Sequence, residues 1–365
     1  MVRTPLEREI RRLIEVAGPM PVARYMSLCL THPQHGYYVT RDPFGVNGDF
    51  TTSPEISQIF GELLGLWAMS VWRMLGEPDV VRLIELGPGR GTMMSDALRV
   101  TRMLPKFQSA LSVHLVEVSP TMEKAQREIL SDVELPIAWH RDLIEVPEGP
   151  AIILANEYLD ALPVHQVVKQ ATGWHERVIG LDADGEFTLG VTAEPVPHFD
   201  RLLPKSIKSA PDGAIFEWRD DLPALDIGRR VVKDGAALVI DYGHTQSDVG
   251  ETLQAMKAHE FVHPLSEPGL IDLTAHVDFQ RLAQAAENVG AAVQGPVTQG
   301  RFLTALGIDA RAERLRMNAT FEQAQDIDAA VARLTETGSV GMGELFKVMA
   351  ICDPKLGPLP GLVSE

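Results

Sequence analysis

The chain is short of cysteine, of aromatics and of positive charge. Only Cys29 and Cys352 occur in 365 residues. Two thiols cannot build a disulfide framework or a cysteine-based metal site, so both are expected as buried thiols in a reducing compartment. Aromatic residues make up 6%, and the five tryptophans are scattered, which assigns them to core or interface. Lys and Arg number 33 against 50 Asp and Glu, a net charge of −17. A nucleic-acid binder needs the opposite balance, because phosphate neutralisation supplies its affinity; with no dense Lys/Arg run, no nucleic-acid partner is expected. The same charge disfavours anionic membrane surfaces and favours a basic partner or substrate. No apolar run approaches the roughly 20 residues of a membrane helix, so no membrane insertion is expected. Met1–Arg12 mixes Arg3, Arg8, Arg11 and Arg12 with Glu7 and Glu9. Transit peptides are poor in acids and signal peptides need an apolar stretch, so the expected location is the bacterial cytoplasm, without a leader.

What remains is an ordinary globular composition, 45% hydrophobic and 23% charged. The length suggests two domains, or one large domain with insertions. Pro5–Val16 has helical spacing, with Leu6, Ile10, Leu13 and Ile14 on one face, and Pro19 and Pro21 stop it. His32–Pro54 is rich in Gly, Pro, Asp and Asn and reads as loop, and Ile56–Leu75 reads as an apolar helix closed by Gly76. A rhythm follows. The apolar runs Val80–Leu86, Val113–Val118, Ala151–Ala155 and Ala236–Ile240 read as buried strands, with helices at Thr92–Met103 and Pro120–Leu130. Such alternation predicts an α/β fold with a mostly parallel sheet covered on both faces. Val164–Val191 departs from it, reading as antiparallel with a turn at Asp182–Gly185. His244–His276 reads as a long polar loop, Leu345–Ile351 as a last strand, and Asp353–Glu365 as a Pro/Gly-rich tail.

The strongest local signal is Glu85-Leu86-Gly87-Pro88-Gly89-Arg90-Gly91-Thr92, between a strand and a helix. Glycines there let the backbone approach a ligand closely, and helix-start amides face it. A dinucleotide fingerprint would put its third glycine at position 92, which is Thr92. The spacing present, with an acid before it, resembles S-adenosylmethionine sites of class I methyltransferases. Glu117, ending the second strand, suits ribose hydroxyls in either ligand class. Asp142, after the third, suits an adenine amino group, with Leu143 beside it.

The loop Asn156-Glu157-Tyr158-Leu159-Asp160 follows the fourth strand, at the sheet edge where ligands of open α/β folds bind. Its two carboxylates suit a guanidinium, whose planar fork a carboxylate can meet in bidentate fashion. The bland alternative is that Asn156 and Asp160 cap a helix and Glu157 is solvated. Asp241-Tyr242-Gly243 ends the fifth strand, facing substrate or simply turning. His276, between Asp272 and Asp278 and near His244, His259 and His263, matches no metal-ligand spacing, so no metal is expected; a structural or substrate-channel role fits better.

Taken with His32 to Tyr38, Gly48 to Glu62, Asn156 to Gln166, Asp241 to Gly243, Asp272 to Phe279 and Met342 to Ala350, the sequence resembles the MidA-like class I methyltransferases. Positions 158–159 are Tyr-Leu where that family carries two aromatics, and about 193–229 matches no motif. The resemblance implies a Rossmann-like fold with a seven-stranded sheet, an N-terminal helical extension and inserted α/β elements. It divides the chain into an extension over the cofactor site (1–76), a core (77–352) with insertions near 164–230 and 244–276, and a tail (353–365). It implies S-adenosylmethionine as cofactor, held by Gly48, Asp49, Ser53, Glu85, Gly87, Gly89, Gly91, Glu117, Asp142, Leu143 and Asn156. Glu157 and Asp160 are then the catalytic pair, and Tyr158, Asp241, Tyr242 and His276 line the substrate. The implied activity is methylation of a protein arginine, such as one on a core subunit of respiratory complex I. Two alternatives stand beside it: a non-catalytic assembly chaperone for such a subunit, and an NAD-dependent oxidoreductase, which Thr92 disfavours. The oligomeric state is open, with a homodimer as the candidate.

Overall fold

The computed structural model describes residues 3–40, 52–204, 206–338 and 341–362. Internal contacts gather the chain into two compact units. One comprises Met1–Phe50, Asp160–Asp220 and Gln246–Asp278; the other comprises Thr51–Leu159, Asp221–Thr245 and Phe279–Glu365.

The second unit is built on a sheet of strands β1 (Val81–Leu86), β2 (Leu111–Val116), β3 (Ile137–His140), β4 (Ala151–Asn156), β5 (Gly235–His244), β6 (Ala292–Thr298) and β7 (Phe346–Cys352). They lie side by side in the order β6-β7-β5-β4-β1-β2-β3. Strands β1 to β5 are mutually parallel, whereas β7 runs antiparallel to both β5 and β6. All six residues of β4 and the first eight of β5 are buried, as both-face coverage requires. From β1 the chain steps outward to β2 and β3, then returns to place β4 on the other side of β1. That reversal opens a crevice at the carboxyl ends of β1 and β4, where ligands of such folds sit. The expected mostly parallel α/β sheet is therefore present, with strand limits within a few residues of those read from the sequence.

Helices α1 (Gln58–Met74), α2 (Thr92–Thr101) and α3 (Pro120–Ile129) cover the sheet. Helix α1, with Leu63, Leu64, Trp67 and Trp72 buried, belongs to the sheet's own core cluster. It meets α2 at unusually short range because Gly61 and Gly65 have no side chain. A Cβ on Gly61 would stand 2.7 Å from Asp96 Cβ, and one on Gly65 2.6 Å from the Ala97 carbonyl oxygen. Between them the buried Glu62 joins Arg99 of α2 at 3.0 Å and Arg311 at 2.6 Å.

The first unit is antiparallel where the sequence suggested it. Gly173–Leu181 pairs with His165–Gln170 on one side and with Met20–Pro21 and Phe187–Val191 on others, and Ile215–Trp218 extends the His165 edge. Asp182 caps the turn, its Oδ1 accepting from the Asp184 and Glu186 amides at 2.9 and 2.8 Å. Helices Pro5–Ala17 and Val22–Thr31 pack their apolar faces, Leu6, Ile10, Tyr25 and Met26 among them, into this unit's core. Arg219 gathers the carbonyl oxygens of Asp160, Leu162, Ala275 and His276, so one guanidinium fastens the inserted segments together.

Two expectations are corrected. His244–His276 is not a plain loop: Gln254–Lys257, Glu260–Val262 and Asp272–Thr274 form a three-stranded sheet. Strands of three or four residues are too short to show alternation in sequence. In the tail, Leu359 and Leu362 are buried in the sheet's core cluster, so at least to Leu362 the segment is packed.

Replacing an interior helical glycine by alanine ordinarily stabilises by up to ~1 kcal/mol. At position 65 the sign is expected to reverse, because the added methyl would overlap the α2 backbone; overpacking costs about 1–3 kcal/mol. Thermal denaturation of Gly65→Ala should show a lowered midpoint. A raised midpoint would contradict the close α1–α2 contact.

Candidate cofactor and active site

The turn after β1 has three glycines in the left-handed region, Gly87 at φ 63°, Gly89 at 53° and Gly91 at 86°. Side-chain-bearing residues rarely adopt that conformation. Gly87 has a second reason to lack a side chain: its Cβ would stand 2.9 Å from Tyr158 Cδ2. The β1 turn and the β4 loop therefore touch. Just before the turn, Glu85 is buried, and its Oε2 has no hydrogen-bond partner among the described residues. Burial, reinforced by the Glu117 charge, raises its pKa well above the ordinary value of 4.5.

Glu117, at the end of β2, accepts from the Ser119 amide at 2.7 Å and from Gln126 Nε2 at 3.1 Å. Burial raises its pKa despite these donors. Gln126, fully buried in α3, also donates to the Gly89 carbonyl oxygen at 2.7 Å and accepts from Trp139 Nε1 at 2.9 Å. One amide side chain thus ties the ends of β1, β2 and β3. Sequence reasoning missed it, since a lone glutamine inside a helix carries no motif. Asp142 Oδ1 accepts from the Ile144 amide at 3.1 Å and opens a short helical turn, Leu143–Glu145, with Leu143 buried.

The β4 loop starts no helix, so the capping alternative for Asn156 and Asp160 is not realised. Glu157 instead adopts φ 50°, a left-handed conformation costing a non-glycine residue on the order of 1–3 kcal/mol. Its amide donates to the Ile240 carbonyl oxygen at 2.9 Å. Its Oε1 accepts from Asn156 Nδ2 at 3.0 Å and from the Ser53 amide at 3.2 Å. Asn156 Oδ1 is a second buried acceptor with no partner among the described residues. Asp241, expected to line the substrate, is fully buried and accepts from the Leu159 and Tyr242 amides, both at 3.0 Å. It shapes the β4 loop from beneath. The neighbouring Tyr242 is buried edge-on against Phe346. Burial pushes the Tyr158 hydroxyl up to about 12, with the charges of Asp142, Glu117 and Asp226 adding to it. Tyr158 therefore lies in the field of the acids at the β2 and β3 ends.

The remaining expected residues fall elsewhere. Gly48 and Asp49 lie outside the described residues. Ser53 is fully buried, its hydroxyl turned to Gln299 Oε1 at 3.4 Å and Met342 Sδ at 3.9 Å, so it is the amide that reaches Glu157. Asp160 and His276 belong to the other unit, where their backbone carbonyls accept from Arg219. Among the described residues no group of three or more His, Cys, Asp or Glu is placed to hold a metal ion.

Two buried acceptors lacking partners, Glu85 Oε2 and Asn156 Oδ1, thus accompany a glycine turn at the switch point. A ligand bringing a cationic donor fits them, because an unmet buried acceptor is costly. Residues 63–297 match the family model described as "Putative S-adenosyl-L-methionine-dependent methyltransferase". The chain belongs to this methyltransferase family. A Drosophila melanogaster relative, "Protein arginine methyltransferase NDUFAF7 homolog, mitochondrial", is 40% identical over 95% of this chain and 84% of its own. The human protein arginine methyltransferase NDUFAF7, also mitochondrial, is 39% identical over 84% of this chain and 74% of its own. A crystal structure from Burkholderia thailandensis, a methyl transferase candidate bound to S-adenosyl-homocysteine, superposes with TM-score 0.85 at 28% identity, covering 99% of this chain and 97% of that one. Family membership sets aside the oxidoreductase alternative. The expected bacterial cytoplasmic location is corrected: the Drosophila and human relatives are named as mitochondrial proteins. Acids among the first twelve residues describe only those residues and could not decide it. Among the described residues no helix is long and apolar enough to cross a membrane.

Glu85 gives a pH prediction. A carboxyl whose native pKa is raised keeps its proton longer folded than unfolded. Its stabilising contribution is therefore full below about 4.5 and is lost as pH rises through the raised native value. The melting midpoint of ligand-free protein should fall as pH rises above about 4.5, and fall less in Glu85→Gln. Equal slopes in the two proteins would contradict a buried, proton-retaining Glu85.

Proposed function

We propose that this methyltransferase modifies an arginine guanidinium of a protein, with Glu157 as the side chain that holds the acceptor. The observation that carries this is the left-handed Glu157 at the switch point, fixed by the Ser53 amide and the Asn156 side chain. Strain of this kind persists where the surroundings over-determine it, and it clusters at functional sites. The relatives named as protein arginine methyltransferases support the choice of acceptor, and the net charge of −17 suits a cationic substrate.

For the donor, the amides of the Gly87–Gly91 turn with Glu85 and Asn156 would receive the amino-acid end, Glu117 the ribose hydroxyls, and Asp142 with Leu143 the adenine. When bound, S-adenosylmethionine supplies an already activated methyl group. What the protein adds is orientation, for which a well-placed pair of reactants can lower a barrier by about 7–11 kcal/mol. A carboxylate holding one guanidinium nitrogen draws positive charge towards it, leaving another nitrogen richer in electrons for attack. Attack by that nitrogen would form the N–C bond as the methyl's bond to sulfur breaks, leaving the neutral thioether, and the proton then shed by the nitrogen would go to the Glu157 carboxylate, the proposed base. Asp160, expected as a second carboxylate, belongs to the other unit, and the proposal rests on Glu157. The substrate proposed is a core subunit of complex I, as the sequence resemblance implies.

The test is transfer of labelled methyl from S-adenosylmethionine to proteins of cells lacking this chain, followed by amino-acid analysis. Methylarginine is expected, with the labelled band identified as a complex I subunit. Glu157→Gln should retain cofactor binding and slow transfer by about 100-fold or more, the cost of removing one preorganised charge. Wild-type rate in Glu157→Gln would overturn the assignment, and label on residues other than arginine would overturn the substrate class. A silent enzyme whose Glu157→Gln form still restored the assembly of complex I would favour the chaperone alternative.

A further inference from the structure

Thr92 departs from the dinucleotide spacing, and the structure gives it a task. It is the first residue of α2, directly after Gly91. Its hydroxyl donates to Glu55 Oε1 at 2.6 Å, and Arg90 Nη1 from the same turn lies 3.5 Å from Glu55 Oε2. Glu55 sits in the short helix Ser53–Ile56, which begins with the amide that donates to Glu157 Oε1. On its far side the same segment is held through the Ser53 hydroxyl by Gln299, itself fully buried and bonded to the Leu334 carbonyl oxygen at 3.0 Å.

One short segment therefore spans from the glycine turn to the strained carboxylate. We propose that Thr92 and Glu55 are positioning residues for methyl transfer, fastening the Ser53 amide so that Glu157 faces the acceptor in register with the cofactor turn. The proposal rests on the assignment of Glu157 given above. Glycine at position 92 would leave a strand-to-helix turn possible but would remove the tether. Valine would keep the shape of threonine and remove only the hydroxyl. The hydrogen bond itself joins an O–H to a carboxylate, a charge-assisted pair of the stronger kind.

A kinetic double-mutant cycle tests it, using the full chain with Thr92→Val, Thr92→Ser, Glu157→Gln and Thr92→Val/Glu157→Gln. Displacing a positioned group by a fraction of an ångström to 1 Å costs up to about 100-fold in rate, so Thr92→Val should lower kcat by roughly ten- to a hundredfold. Affinity for S-adenosylhomocysteine should stay within about threefold, and Thr92→Ser should restore most of the rate. Because Thr92 acts through Glu157, Thr92→Val should slow the Glu157→Gln enzyme by less than about twofold. A purely structural role predicts the same loss in both backgrounds, and that result would overturn the inference. So would failure of serine to rescue, or lost cofactor affinity with unchanged kcat. If Glu157→Gln alone runs at the wild-type rate, the Glu157 assignment falls and this inference with it. If Glu157→Gln is slow and the Thr92 effect is additive, only this inference falls. Should Thr92→Val fail to fold, Glu55→Gln replaces it in the cycle, with the same two outcomes.

Discussion

Carboxylates placed at the ends of adjacent parallel strands are the constraint around which the site is built. Glu85, Glu117 and Glu157 stand at or just beyond the carboxyl ends of β1, β2 and β4, Asp142 follows β3, and Asp241 lies within β5 level with the end of β4. Removing such groups from water is costly unless donors replace the lost hydration. The loops supply those donors as backbone amides: Ser119 to Glu117, Ile144 to Asp142, Ser53 to Glu157, Leu159 and Tyr242 to Asp241. Each acid thereby fixes the course of its loop. Glu85 differs in that one of its oxygens lacks a partner among the described residues, and it lies beside the glycine turn. This acceptor and Asn156 Oδ1 are buried groups that a cofactor with donors of its own fits.

The contacts between loops explain residue choices that motifs alone do not. Gly87 answers to the ring of Tyr158 as well as to its own backbone angle. Gln126 spans three strand ends with one side-chain amide. The left-handed Glu157 is held by its N–H, which donates to the Ile240 carbonyl oxygen, and by donors to its carboxylate. Preorganisation of this kind is bought before the reaction begins, which is where most of the catalysis of a transfer from an activated donor resides.

Much of this was legible in the sequence. Apolar runs such as Val113–Val118 announced parallel strands because strands buried on both faces need continuous hydrophobicity. The Glu85–Thr92 string announced a tight strand-to-helix turn, because glycine suits the left-handed backbone such a turn requires. The three-stranded sheet within 244–276 was hidden by strands too short for periodicity, and Leu359 and Leu362 by the prolines and glycines around them. The linking residues were hidden for a different reason. Gln126 reaches Gly89 and Glu55 reaches Thr92 across 37 residues, and Gln299 reaches Ser53 across 246; no local pattern marks a side chain whose partner is that distant. Ser53, expected among the cofactor-binding residues, turns its hydroxyl to Gln299 in the core and donates its amide to Glu157.

The central claim is that the left-handed glycine turn and the acids at the neighbouring strand ends form the methyl-donor site. Calorimetric titration of the purified chain with S-adenosylhomocysteine addresses it most directly, run on the wild type and on Gly89→Val, whose branched side chain cannot hold φ 53° without strain. The account predicts saturable binding of one equivalent by the wild type and its loss in a Gly89→Val protein that keeps its secondary structure. Undiminished binding in Gly89→Val, or none in the folded wild type, would contradict it.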